Sequence, residues 1–194
     1  MAGETVRVGS RMKYLSLVID SQWRFDPQFD SLIPKVSAAA NALCGLLPNV
    51  GGAGVAVRQL YEGVVRSRMM NGDPVWADDL MASGRSILLL RRLHRATAIR
   101  IVRGYRTVSH ASATVLAASP LWELRALALM RVWDPGKDST EQAAPNDLGT
   151  AEENVWDQWR SQLINEGGEH RSVEAVLPNW ETWRSRRGPR SPTG

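Results

Sequence analysis

A single cysteine, Cys44, is all the thiol this chain has, which excludes a disulfide framework and any cysteine-built zinc site. Three histidines, His94, His110 and His170, stand too far apart in sequence to make a metal cage. No uninterrupted apolar run reaches the length of a membrane span, because charge or glycine breaks each candidate. The amino-terminal MAGETVRVGSR lacks the apolar core of a signal peptide, and no Asn-x-Ser/Thr acceptor occurs. These absences set the expectation of an intracellular protein, nuclear or cytoplasmic, with no membrane partner and no small-molecule ligand. The residues fix no oligomeric state.

Acidic residues are absent from another place, the whole stretch between Asp79 and Glu123. Inside it, Arg85 to Arg106 reads RSILLLRRLHRATAIRIVRGYR, with arginines at 85, 91, 92, 95, 100, 103 and 106. At roughly 100° per residue all seven fall within about half of a helical circumference. Leu90, Leu93, Ile101, Ile87 and Ala98 fill the other half. A solvated face would mix signs and favour lysine and glutamate. An arginine face without counter-ions points to phosphate, whose oxygens match the guanidinium fork.

The net charge of +4 conceals this segregation. From Asp134 to Glu181 there are eleven acids against Lys137, Arg160 and Arg171, and a basic run follows at Arg184, Arg186, Arg187 and Arg190. At 194 residues and 43% hydrophobic, the chain can bury a core. The pattern predicts a mainly α protein with a short β-hairpin in front.

Residues 1–25 hold the hairpin, with β-rich Thr5–Val8 and Met12–Ile19 and a turn at Gly9-Ser10. Residues 26–133 are a helical unit. Asp26-Pro27 opens its first helix, which stops at Pro48, and 49–54 is a loop. A helix from Val55 to Met70 ends at Asn71-Gly72. Asp73 to Asp78 reads as a short connection, and the arginine helix follows, ending near Gly104. Ser109 caps a helix over 110–118, and Leu121 to Trp133 forms another. Residues 134–150 are a flexible acidic linker, 151–184 a helical segment, and 185–194 a disordered basic tail.

Several signals have ordinary readings. Gly51-Gly52-Ala53-Gly54 lacks the Gly-Lys-Ser/Thr of a phosphate loop and is a helix-linking turn. Asp78-Asp79 resembles a metal-binding pair, but leads toward a helix whose N-terminal dipole it would compensate. His94 is a packed histidine and Cys44 a small core residue. The pairs Trp156/Trp159 and Trp180/Trp183 seal a core or an interface, rather than stacking on bases. No catalytic constellation is present.

Lys13-Tyr-Leu-Ser-Leu-Val-Ile-Asp20 resembles the Lys-Tyr-Leu-Gly block of reverse transcriptases from LINE-type (non-LTR) retrotransposons. Further similar blocks follow in that family's order: Leu47-Pro-Asn-Val-Gly-Gly52, Leu60-Tyr-Glu-Gly-Val-Val65, Asp73-Pro-Val-Trp-Ala-Asp78 and Arg103-Gly-Tyr-Arg-Thr-Val-Ser109. The last two are similar to those of insect type-1 retrotransposable elements. The resemblance continues through Pro120-Leu-Trp-Glu-Leu124 to Leu177-Pro-Asn-Trp180, over roughly residues 6 to 184.

This resemblance implies a primer-grip hairpin followed by a polymerase thumb. The partner would be an RNA/DNA primer–template held without sequence preference, through Lys13 and Tyr14 in the hairpin and Arg91, Arg92, Arg95, Arg103 and Arg106 in the thumb. The family's aspartate pair and its Mg²⁺ belong to a palm upstream, so no cofactor is expected in this chain and no polymerisation by it alone. Ser16 stands where the family has glycine, and 134–149 departs from the pattern, as in a truncated retrotransposon copy. The alternative is a non-catalytic helical interaction module, whose arginine face binds an acidic partner or its own 134–181 segment.

Overall fold

A computed structural model describes residues 9–47, 54–133, 148–166 and 171–187. The expected class holds: the chain is mainly helical, with a two-stranded antiparallel hairpin in front. Strands β1 (Arg11–Tyr14) and β2 (Leu17–Asp20) pair with Tyr14 opposite Leu17, so the turn is Leu15-Ser16. This corrects the expected turn at Gly9-Ser10; the Thr5–Val8 strand lies outside the described residues. Register follows burial. Leu17 must reach the interior, and a one-residue slip would turn it outward.

A two-residue hairpin loop needs positive φ, and here Leu15 (45°) and Ser16 (72°) supply it without glycine. An L-residue in that conformation costs roughly 1–2 kcal/mol. Ser16→Gly is therefore expected to stabilise the protein by about 1 kcal/mol, raising the thermal midpoint by about 2–4 °C. A lowered midpoint in a calorimetric scan would show that the turn is not strained.

Helix α1 (Asp26–Leu43) starts on Pro27, and its first turn is tied to distant residues. Asp26 Oδ1 accepts from the hydroxyls of Ser83 (2.7 Å) and Ser86 (2.9 Å), and Phe25 N–H donates to Asp79 Oδ2 (2.7 Å). Asp79 therefore meets the dipole of α1, which corrects the expectation that it serves the helix following it. A 3₁₀ turn, Cys44–Leu46, follows α1. The loop over 48–53 lies outside the described residues.

Helix α2 (Val55–Met69) ends as expected at Asn71-Gly72, where Gly72 has φ 77°. A Cβ there would come within 2.6 Å of Leu17 Cδ2, so the hairpin and this turn share one space that only glycine fits.

The expected connection at 73–78 is instead helix α3 (Asp73–Ala82). Trp76, Ala77 and Leu80 give it a narrow buried face, short enough to be hidden among acidic neighbours. Trp76 donates from Nε1 to the Asn71 carbonyl (3.1 Å) and meets Phe29 edge-on at 5.1 Å.

Helices α4 (Gly84–Val102), α5 (His110–Ala117) and α6 (Trp122–Trp133) follow. Ser83 and Ser109 cap α4 and α5 with their side chains. After 134–147, outside the described residues, come α7 (Leu148–Glu166) and α8 (Arg171–Val176). A 3₁₀ turn, Leu177–Asn179, leads into α9 (Trp180–Arg187). Residues 148–150, read as linker, and 185–187, read as tail, are thus helical, while 188–194 lie outside the described residues.

Two apolar clusters share α6. Trp122, Ala126 and Met130 join α1 to α4, whereas Leu121 and Leu124 turn toward Val155, Leu163, Val173 and the tryptophans of α7 and α9. Trp156, Trp159, Trp180 and Trp183 pack mutually, with centroids 5.0–6.2 Å apart, and three of the four are buried. They build core. Among the described residues no single helix is long and apolar enough to cross a membrane.

Candidate nucleic-acid interface

The arginine helix α4 is the central helix of the bundle, touched by α1, α2, α3, α5 and α6. Its buried side is Ser86, Leu90, Leu93, His94, Thr97, Ala98 and Ile101, close to the expected stripe. Crowding by five neighbours narrows the opposite side. The exposed edge runs through Arg85, Leu88, Arg92 and Ala96 to Arg103, the left-handed C-terminal cap. The half-circumference arginine face of the helical wheel is therefore not an open face.

The flanking arginines are engaged within the fold. Arg91 Nε donates to Glu123 Oε1 at 2.6 Å, and Glu123 is only 2% exposed. Arg95 donates to the Val108 carbonyl (2.7 Å) and to the Arg106 carbonyl, bracing the turn after α4. Arg100 donates to Tyr61 Oη (3.4 Å) and to Asn41 Oδ1. Arg85 pairs with Asp30 at 2.8 Å, both exposed, a contact of the kind worth about 0–1 kcal/mol and readily exchanged. Side chains of Arg92 and Arg106 are exposed and have no polar partner among the described residues.

Of the expected contact residues, Arg92, Arg103 and Arg106 are thus presented to solvent, whereas Arg91 and Arg95 are structural in the geometry shown. Helix α4 ends at Val102, so Arg103 and Arg106 lie on the following turn rather than on the helix. Lys13 and Tyr14 are exposed on β1, while β2 packs on α1. No hydrogen bond or ion pair among the described residues links either of them to the arginines of α4.

Beneath this edge lies a buried polar chain that the sequence did not disclose. His94 stacks on Trp122 at 4.5 Å, as the expectation of a packed histidine requires. His94 Nδ1 is 3.3 Å from His110 Nε2, and His94 Nε2 is 3.0 Å from Ser119 Oγ. Ser119 donates to Glu62 Oε1 (3.2 Å), which also faces Arg66 and Arg125; Arg125 in turn meets Glu152 at 2.5 Å.

Burial, reinforced by His110 and Arg66, holds His94 well below the ordinary imidazole range. His110 is pushed down to about 4 by burial and then by Arg91 and Arg95. Two neutral rings, each donating from Nε2, satisfy the whole chain. Cys44 is half-buried and donates to the Ala40 carbonyl.

Compared with protein-family models, with curated proteins and with solved structures, the chain gives no match to any. The geometry must therefore speak alone. Among the described residues no three His, Cys, Asp or Glu side chains gather as a metal site. The residue that the sequence reading passed over is Tyr105, 85% exposed between Arg103 and Arg106. Its signal was the Arg-Gly-Tyr-Arg string itself: an aromatic with no apolar neighbour to pack on.

Proposed function

We propose that this chain is a nucleic-acid-gripping helical domain that contacts phosphates without reading sequence, inherited from a LINE-type reverse transcriptase. The observation that carries the reading is the outer edge of α4 and its turn. It presents Arg85, Arg92, Arg103 and Arg106, within a stretch of 43 residues, 80 to 122, that holds no acid. Arginines on a rigid helix, with no side chain committed to base edges, suit a surface that must hold any sequence. The role proposed is grip. No polymerisation is proposed for this chain alone, because the family's aspartate pair is not among its motifs.

The alternative, a face neutralised by an acidic protein or by the chain's own acidic segment, draws less support. Among the described residues, the acids that pair with α4 arginines are Asp30 and Glu123, from the bundle itself. Among the described residues of the acidic segment, Glu152 pairs with Arg125 and Glu181 with Arg160, away from the α4 edge.

Binding of the purified chain to a labelled RNA–DNA hybrid is expected to weaken linearly in log K against log salt, with a slope of about −2 to −4 for a few phosphate contacts. Scrambling the hybrid's sequence should leave the affinity within about twofold. Salt-insensitive binding, or a strong sequence preference, would favour the interaction-module reading.

A further inference from the structure

We infer that Tyr105 is a stacking platform for an unpaired nucleobase, so that the basic edge takes a duplex together with an adjoining single strand. This rests on the nucleic-acid reading above and adds to it the form of the nucleic acid. Tyr105 is the most exposed large apolar side chain among the described residues, at 85%.

Its backbone, in contrast, is held firmly. Gly104 N–H donates to the Ile99 carbonyl (3.0 Å) and Val108 N–H to the Tyr105 carbonyl (3.1 Å). The Arg95 guanidinium takes the carbonyls of Arg106 and Val108 from below. A Cβ on Gly104 would sit 3.3 Å from Val102 and 3.4 Å from Val108, so the turn has little slack. An exposed ring on a braced turn has already lost much of the backbone freedom that binding would otherwise remove.

The electrostatics point the same way. Arg95 donates to two carbonyl oxygens of the loop and so sets its positive charge against the turn. Two other exposed aromatics have acid close by in sequence: Trp133 precedes Asp134, and Trp23 lies between Asp20 and Asp26. Tyr105 is flanked only by Arg103 and Arg106. A π face beside guanidinium groups is the pairing that single strands use, the ring for the base and the cations for its phosphates.

The test compares wild type, Tyr105→Leu and Tyr105→Trp on three labelled probes: oligo(dT), a blunt RNA–DNA hybrid, and the same hybrid carrying an unpaired 3′ extension. Tyr105→Leu should weaken binding to oligo(dT) and to the extended hybrid by roughly 5- to 100-fold, the range of one lost base stack. Blunt hybrid should change by less than about twofold, and the salt slope should stay the same, since no cation is removed. Tyr105→Trp should restore the loss. Equal effects on blunt and extended hybrids, or none on any probe, would overturn the inference while leaving the phosphate grip standing. Wild-type protein that binds none of the three probes in a salt-dependent way would overturn both. An unchanged thermal midpoint for Tyr105→Leu, expected of so exposed a side chain, separates lost binding from lost folding.

Discussion

Arg91→Ala is expected to cost about 3 kcal/mol or more of stability, whereas Arg92→Ala, one residue along the same helix, should stay within about 0.5 kcal/mol. The two arginines look alike in the sequence and differ in what they meet. Arg91 is 40% exposed at its side chain, but its partner Glu123 is 2% exposed and holds it at 2.6 Å. The other carboxylate oxygen of Glu123 has no hydrogen-bond partner and is itself buried. Removing Arg91 strands a buried charge that the interior does not otherwise compensate. Most of the cost is that stranding, not a loss of attraction.

The prediction separates into a double-mutant cycle. Glu123→Gln removes the charge, and in that background Arg91→Ala should cost only about 1 kcal/mol, the worth of an ordinary hydrogen bond. Urea denaturation of the four proteins measures it. If Arg91→Ala proved as harmless as Arg92→Ala, Arg91 would belong to the open face after all.

The second large effect concerns Asp73, at the start of α3, which is 6% exposed and has one oxygen without a partner. Burial pushes its carboxyl from an ordinary 3.8 up to about 7. The folded chain therefore holds this proton more tightly than the unfolded one. The stabilisation it gives is complete below about pH 3.8 and is lost as pH rises to about 7, after which nothing more changes.

Asp73→Asn should accordingly raise stability at pH 8 and leave it nearly unchanged at about pH 3, where Asp73 is mostly neutral in both states. The shift corresponds to at most about 4 kcal/mol; the α3 dipole favours the anion, so about 2 kcal/mol is expected. Comparing variant with wild type at each pH cancels the other carboxylates, among them Asp26, which the Ser83 and Ser86 hydroxyls hold below its usual range. A gain as large at about pH 3 as at pH 8 would mean that packing, not the proton, distinguishes the two side chains.

Local features were legible because their causes are local. Pro27 in the first turn of α1, Ser109 accepting from Ser112 N–H and Gly72 at positive φ each depend on residues within a few positions. The tryptophan pairs were legible for the same reason, being spaced on one helical face. A hairpin formed within the expected residues, but both its strands come from around Met12–Ile19, read as one strand, since glycine signalled a turn at Gly9-Ser10 while burial of Leu17 fixed it at Leu15-Ser16. Helix α3 was hidden because ten residues rich in aspartate give too little apolar periodicity to declare themselves.

The candidate site was legible as an azimuth only. A helical wheel places arginines around an axis, but it cannot show that Glu123, 32 residues away, claims one of them. Nor can it show that Arg95 turns back to the carbonyls of its own following turn. Those assignments need the five helices around α4. What survives as open surface is narrower than the wheel, and it extends onto the turn after the helix.

The central claim is that this narrowed edge, and not the whole face, meets phosphate. It is tested most directly by the salt dependence of hybrid binding for wild type and for the variant carrying both Arg92→Gln and Arg106→Gln. Each exposed cation that touches phosphate should account for about 1 unit of slope, so the variant's slope should be shallower by about 2, with affinity reduced alike on all sequences and the thermal midpoint unchanged. A variant that binds with the wild-type slope and affinity would contradict the account.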